Sequence, residues 1–285
     1  MLTFNEYIKT LKDAGIQPGD IVHIQSNLRR IGFIEGMRSR KDMLEFYLKG
    51  LQEVLGPEGT ISCFSMFTDF QRYGKPYIAE SSPCNSGDFA NFLLQQKEVV
   101  RSMHPVMSVA ALGAKANMIC GGTHYSAYGY DSPWRRLHHA NAKILSLGLG
   151  TRPGGSSFLH YIEASYGVPY QYTKLIRGDI TYYGKSINED FYMAIRYLNY
   201  DIQYNTTAFK KSLIPQGIAK ELQLGGSFLY IVDANAMFNA GIAWLNKNIY
   251  GFLNSPPQFI DGQIPCDGIT ANKERVLAWA SDEDN

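Results

Sequence analysis

The 285-residue chain predicts an α/β fold, a layered sheet flanked by helices in a single domain over residues 1–285. Three observations carry that expectation. Short β-branched runs alternate with helical stretches, glycine-rich loops follow those runs, and 45% hydrophobic with 19% charged residues suits a chain that closes one large core. Lysine and arginine total 27 against 26 acids, a net charge of +1. A dedicated nucleic-acid binder normally carries a marked basic excess, so that class is set aside. No apolar stretch is long enough to span a bilayer, and the first residues have neither the charged start nor the apolar run of a signal peptide, so a cytoplasmic location without membrane contact is expected. Cys63, Cys84, Cys120 and Cys266 are far apart and form no CxxC or Cys/His cluster; buried free thiols are expected, with neither a metal site nor a disulfide framework.

The first helix begins near Phe4, because Thr3 and Glu6 make a capping-box pair and Phe4, Tyr7, Ile8 and Leu11 share a face. Gly15 stops it. Residues 21–26 read as a buried strand, and Ser39 with Asp42 opens a helix that runs to Gly56-Pro57. Residues 60–65 return as a strand, which completes a βαβ unit. The pattern continues with a strand near 107–112, a helix near 114–119, a strand over 143–148 and a helix from Ser156. The loop-rich stretches 69–85 and 123–133 are too long to be plain connectors, and α/β proteins place their sites on such loops. The second half is less regular: a strand pair over 170–183, a helix over 188–199, a strand over 228–232, and a helix capped by Asp233 that runs to about 246. An acidic tail, 281–285, ends the chain.

The most informative segment runs from Gly148 to Glu163. A strand ends in a glycine-rich loop, the loop opens a helix, and Ser157, His160 and Glu163 follow at three-residue intervals, which puts them on one side of its first turns. A hydroxyl near a helix start can support an oxyanion, an imidazole can take a proton from a nucleophile, and a neighbouring carboxylate can orient that imidazole. The plain alternative is a capped helix with a surface Ser and an i,i+3 His–Glu pair. Two motifs stay incomplete here: Pro153 stands where a dinucleotide-binding loop needs its third glycine, and no GxSxG elbow occurs. Two further clusters are ambiguous alone: Arg101-Ser102-Met-His104-Pro105-Val106-Met-Ser108, and the aromatic loop from Thr123 to Trp134.

Taken in order, the motifs resemble the aminoglycoside 3-N-acetyltransferase family, which is unrelated in fold to the GNAT acetyltransferases. The resemblance rests on Gln25-Ser26-Asn27-Leu28, Ile31-Gly32-Phe33-Ile34, Gly59-Thr60-Ile61 with Ser65-Met66-Phe67-Thr68, the stretch from Arg101 to Ser108, Ser132-Pro133, and the stretch from Ser157 to Glu163. It implies an N-acetyltransferase that uses acetyl-CoA, with His160 as general base, Glu163 as its orienting partner and Ser157 supporting the thioester oxyanion. By the same resemblance Ser26, Asn27, Leu28, Gly32, Phe33 and Ile34 lie along CoA, with Arg101, Ser102, Val106 and Ser108 lining the same channel. Arg29 and Arg30 suit its phosphates by their chemistry. Thr68, Asp69, His104 and Tyr166 are expected at the acceptor. Residues 1–165 then form the CoA-binding and catalytic part, and 166–250 the substrate-facing part. Departures from the family pattern are Gln25 where a His is common, Asn27 for a second Ser, Ser65-Met66 for Pro-Thr, and Ser157 for Thr.

Amide formation from a thioester needs one base and one oxyanion donor, without metal or covalent intermediate. A polycationic aminoglycoside calls for an acid-rich pocket. Between Glu163 and Phe228 the chain instead has Asp179, Glu189, Asp190, Asp201 and Glu221 against Lys174, Arg177, Lys185, Arg196, Lys210, Lys211 and Lys220, with many tyrosines suited to stacking on a sugar. The expected acceptor is therefore the primary amine of a small neutral or anionic amino sugar, nucleotide-linked ones included. An aminoglycoside antibiotic, or a non-catalytic CoA- or sugar-binding role, stands as the alternative, and a homodimer is left open.

Overall fold

The computed structural model describes residues 1–152, 157–197 and 200–259. The glycine-rich segment 153–156, Cys266 and the acidic tail lie outside the described residues. Helix α1 (Phe4–Asp13) starts on the expected capping box, with Thr3 Oγ1 accepting from the Glu6 N–H at 3.2 Å and Glu6 Oε2 accepting from the Thr3 N–H at 2.8 Å. Strand β1 (Ile21–Ser26) follows, then a single 3₁₀ turn (Leu28–Ile31) and α2 (Arg40–Leu55), capped by Ser39 and Asp42. After β2 (Thr60–Phe64), the stretch read as loop holds α3 (Asp69–Tyr73) and β3 (Tyr77–Ile78). Then come α4 (Asp88–Leu94), β4 (Val100–Arg101), β5 (Val109–Gly113), α5 (Ala116–Cys120), α6 (Pro133–His139), β6 (Lys143–Leu147) and α7 (Phe158–Tyr166). The remainder is β7 (Gln171–Tyr182), β8 (Lys185–Arg196), α8 (Thr207–Leu213), β9 (Ala219–Leu224), β10 (Ser227–Asp233) and α9 (Ala234–Lys247).

Seven strands form the main sheet in the order β4-β5-β2-β1-β6-β10-β9. Its centre, β2-β1-β6, is parallel, whereas β5, β4, β10 and β9 add antiparallel edges. The sequence expectation of a repeated βαβ pattern therefore holds for β1, α2 and β2 and stops at β5, which returns antiparallel to β2. Alternation along β1 sorts its side chains to two cores. Val22 and Ile24 pack with α1, α2 and α4 on one face, while Ile21 packs with α5, α6, α7 and α9 on the other. Strands β9 and β10, from the second half of the chain, share this sheet with β1 and β6 from the first.

The second sheet, β3-β7-β8, corrects the reading of residues 170–199. The expected strand pair over 170–183 is one long strand, and the expected helix over 188–199 is its antiparallel partner β8, paired from Gln171↔Arg196 to Tyr182↔Lys185. Phe191, Met193 and Ile195 recur every second residue and, with Ile187 on the same face, meet a third core beneath this sheet. Period-two burial overrides the local helical look of the run. The hairpin turns at Tyr183-Gly184, both at positive φ (47° and 76°), as the right-handed strand twist favours. The cap of α9 also differs from expectation. Asp233 makes no side-chain cap bond and pairs instead with Lys143 at 2.6 Å; Asn141 Oδ1 accepts from the Asn235 N–H.

Among the described residues no helix is long and apolar enough to cross a membrane. Cys63, Cys84 and Cys120 are buried free thiols.

Candidate active site

At the carboxyl ends of β1, β2 and β6 the sheet opens onto two cavities, of about 460 and 230 Å³, which share Gln25, Phe64 and Met66 as common wall. Parallel strands bring their ends to one edge of a sheet, and the loops beyond them enclose the site. The loop after β6 has to lie tightly on the turn after β1: Gly148 sits at φ +76°, and a side chain there would run into the Asn27 carbonyl. Further along, Glu221 Oε1 accepts from the Thr151 N–H at 2.7 Å and Lys210 Nζ donates to the Arg152 carbonyl at 2.5 Å, so β9 and α8 hold the path that leads into α7. Burial lowers the Lys210 ammonium to about 8, against the neighbouring Glu221 charge, which raises it.

Helix α7 presents Ser157, His160 and Glu163 to the larger cavity, as their spacing predicts. His160 Nδ1 lies 2.7 Å from Glu163 Oε2, with the imidazole side chain 38% exposed and the glutamate 1%. The carboxylate is satisfied from three sides: His160, the Gln171 Nε2 amide at 3.0 Å, and the Tyr170 hydroxyl donating to Oε1 at 2.7 Å. A carboxylate can only accept, so Nδ1 carries the hydrogen of that bond and the lone pair of the neutral ring sits on Nε2. The Tyr204 ring packs edge-on against the imidazole, with centroids 4.9 Å apart. Burial and the Glu163 charge push the phenols of Tyr170 and Tyr204 well above their ordinary range, which keeps both as neutral hydrogen-bonding groups. Ser157 stands at the start of α7 without capping it; its Oγ accepts from Gln25 Nε2, which leaves its own O–H free to donate.

Several cavity amides keep spare hydrogen-bonding capacity. Gln25 Oε1, both amide atoms of Gln71, Gln171 Oε1 and Arg72 Nε are buried without a partner among the described residues. Buried polar atoms in a folded protein are nearly always paired, so these five atoms on residues of the cavity lining can serve a polar molecule bound there.

The remaining sequence candidates divide sharply. Ser26 lines the smaller cavity, and Thr68 and Val106 line the larger. Asn27 is half-buried beneath Gly148. Arg29 and Arg30 are exposed on the 3₁₀ turn, and Gly32 and Phe33 are exposed just after it, Phe33 at 87%. Leu28 and Ile34 point into the core, so their side chains do not line a channel.

Apart from Val106, the expected residues of the Arg101 stretch are structural, as is His104. Arg101 is 1% exposed; its guanidinium donates to the carbonyls of Ser65, Ser82 and Pro83 and to Ser108 Oγ, and lies 5.0 Å over the Tyr77 ring. Ser102 Oγ accepts from the Val109 N–H, and Ser108 Oγ donates to the Ser65 carbonyl. His104 Nδ1 accepts from the N–H groups of Val106 and Met107, Nε2 donates to the Tyr192 carbonyl, and burial lowers the ring to about 3. These residues brace the bend between β4 and β5 and do not reach either cavity. Asp69 pairs with Lys75 at 3.2 Å outside the cavity lining, and Tyr166 packs on the core behind α7.

Sequence reasoning missed Gln71, Arg72, Tyr170, Gln171 and Tyr204 as site residues. A signal existed for two of them. A glutamate that turns inward from an apolar helix needs donors, and Tyr170-Gln171 are the first such groups after the helix ends at Gly167. Arg72 and Tyr204 arrive by tertiary folding from distant segments and leave no local mark.

Comparison with known proteins agrees with this architecture. The family model described as aminoglycoside 3-N-acetyltransferase matches residues 21–246. Aminoglycoside N(3)-acetyltransferase IX of Micromonospora chalcea is 24% identical over 84% of this chain and 92% of its own length, and aminoglycoside N(3)-acetyltransferase VII of Streptomyces paromomycinus is 23% identical over 87% and 93%. Among solved structures, aminoglycoside acetyltransferase AAC(3)-Xa superposes with a TM-score of 0.74 at 22% identity, covering 87% of this chain and 94% of that one. AAC-IIIb, solved as a binary complex with CoASH, superposes with a TM-score of 0.71 at 20% identity, covering 90% and 99%. The ordered motifs, the mixed seven-stranded sheet and the match across most of the chain lead to one conclusion: this protein belongs to the aminoglycoside 3-N-acetyltransferase family, whose members are acyltransferases with acetyl-CoA as co-substrate.

Proposed function

We propose that the protein transfers the acetyl group of acetyl-CoA directly to a primary amine of an amino sugar, with His160 as general base. One observation carries this reading: an imidazole whose Nδ1 is held 2.7 Å from a buried carboxylate stands on a cavity wall beside a hydroxyl free to donate. The amine nitrogen attacks the thioester carbon, the C–N bond forms and the C–S bond breaks. His160 Nε2 accepts the proton the amine must lose, and that proton is available to the departing thiolate. Glu163 holds the ring in the tautomer this requires, and Ser157 O–H faces the negative charge that develops on the carbonyl oxygen.

The smaller cavity, thin and carrying the Ser26 hydroxyl and the Gln25 amide, fits the pantetheine arm, and the exposed Arg29 and Arg30 beyond it suit the phosphates. In this reading residues 1–165 and 166–250 act as one acetyltransferase domain, the later part supplying acceptor contacts from β8 and Tyr204. The spare amide groups of Gln71 and Gln171 suit the hydroxyls of a sugar ring. The names of the relatives put aminoglycosides in the same acceptor class, and they form the second reading.

A His160→Ala variant tests the base. Turnover, followed as free-thiol release with a panel of amino sugars and aminoglycosides, should fall by about 10²–10⁴-fold while CoA binding by calorimetry stays within a few-fold. Full turnover without the imidazole removes His160 from this role.

A further inference from the structure

The larger cavity carries an uneven charge. Its lining includes Arg72 and Arg196, and its one acidic residue among the described residues is Glu163, which is committed to His160, Tyr170 and Gln171. All five acids between Glu163 and Phe228 lie elsewhere: Asp190 pairs with Arg177, Asp179 takes the Asn188 amide, Glu221 takes Thr151, Asp201 takes Gln203, and Glu189 is exposed. Arg72 and Arg196 themselves make no ion pair within 4.0 Å among the described residues, and Arg72 Nε is buried without a partner. A polyamine entering such a site would exchange water for two like charges. An anion would satisfy both arginines.

Position adds to the charge. The Arg196 guanidinium lies over the Tyr204 ring at 5.7 Å, and that same ring packs edge-on against His160 at 4.9 Å between centroids. One aromatic ring thus separates the cation from the base. A small acceptor can reach both, placing its amine at Nε2 and a negative group at the guanidinium.

Resting on the N-acetyltransferase reading above, we propose that the acceptor is an amine carrying an anionic group, phosphoryl or carboxylate, and that Arg72 and Arg196 are the residues that select it. Phosphorylated amino sugars, nucleotide-linked amino sugars and amino uronic acids all have this chemistry.

The test compares acceptors matched except for charge, using the whole chain and acetyl-CoA: glucosamine, glucosamine 6-phosphate, a UDP-linked amino sugar, an amino uronic acid, and kanamycin. At least one anionic acceptor should exceed glucosamine and kanamycin in kcat/KM by about tenfold or more, the scale of one charge-assisted hydrogen bond. Arg196→Gln, on an exposed side chain, should raise the KM of that acceptor by about tenfold without changing the KM of acetyl-CoA, and Arg196→Lys should recover part of the loss. Arg72→Gln should act in the same direction. A preference for glucosamine or kanamycin over every anionic amine overturns the proposal, as does an Arg196→Gln effect confined to acetyl-CoA, which would assign the arginine to the donor phosphates. Calorimetric titration with the same anionic amines separates this from the parent reading. Arginine-dependent binding without turnover sinks the transferase assignment alone, and no binding of any anionic amine sinks the selectivity.

Discussion

Replacing Glu163 by Gln alters the charge behind the imidazole while keeping its shape. The carboxylate now accepts at Oε2 from His160 (2.7 Å) and Gln171 (3.0 Å) and at Oε1 from Tyr170 (2.7 Å). A carboxamide has one acceptor oxygen. Turned so that the oxygen takes the Oε2 position, it still holds the Nδ1–H and the Gln171 amide, while its NH₂ donates to the Tyr170 hydroxyl, which can rotate to accept. The tautomer survives and the negative charge does not. A bond to a charged partner contributes about 1–2 kcal/mol more than a neutral one, and that difference matters most when His160 takes up a proton. The kcat of Glu163→Gln should therefore fall by about 5–30-fold, with the KM of acetyl-CoA unchanged. One amide N–H is left without an acceptor, which costs about 1–3 kcal/mol of stability and lowers the urea midpoint. Glu163→Ala removes the acceptor altogether and should be slower still. Steady-state thiol release at saturating donor reads the first effect and urea titration the second. If Glu163→Gln and Glu163→Ala match the parent kcat within twofold, or if the loss falls on KM alone, the carboxylate does not position the base.

Three other outcomes follow from the geometry. Ser157→Ala should lower kcat by about 10²-fold or more, the worth of one oxyanion donor, with CoA affinity by calorimetry preserved; an unchanged kcat removes the hydroxyl from the reaction. Arg101→Lys should destabilise the fold by about 3–5 kcal/mol, because a lysine cannot reach the carbonyls of Ser65, Ser82 and Pro83 together, and the folded fraction should bind CoA normally; lost affinity at full stability would restore the channel role. Acid should destabilise the protein early. Burial lowers His23 to about 3, His104 to about 3 with help from His124, and His124 to about 4, whereas the unfolded chain protonates these rings near pH 6.5. Native rings stay neutral while unfolded ones gain protons, so stability is complete above pH 6.5 and drains away as the pH falls towards 4. The slope approaches roughly 4 kcal/mol per pH unit for three sites together. Urea midpoints that stay level from pH 6.5 to 5 would contradict it.

The alignment on α7 was legible because it is local. Ser157, His160 and Glu163 lie within seven residues, and helical geometry alone aligns them. The capping pairs Thr3/Glu6 and Ser39/Asp42 and the strand 21–26 were equally local and stand as read. Within the Arg101 to Ser108 stretch only Val106 of the expected residues reaches a cavity, because a buried guanidinium paired with backbone carbonyls has the same sequence signature as one aimed at a ligand. Only the shape of the bend between β4 and β5 separates the two. Strand β8 misled for another reason: Asn188 to Arg196 has residues that suit a helix, and its pairing with β7 is decided by the core below. The rest of the cavity wall was illegible because Gln71 and Arg72 on α3 meet Met193 to Arg196 on β8 across more than a hundred residues of chain.

One wall of the larger cavity is built partly from a hairpin that belongs to its own small sheet, while His160, the proposed base, rides on a helix packed against the large one. Substitutions along the outer end of that hairpin can reshape what enters without disturbing the seven-stranded scaffold.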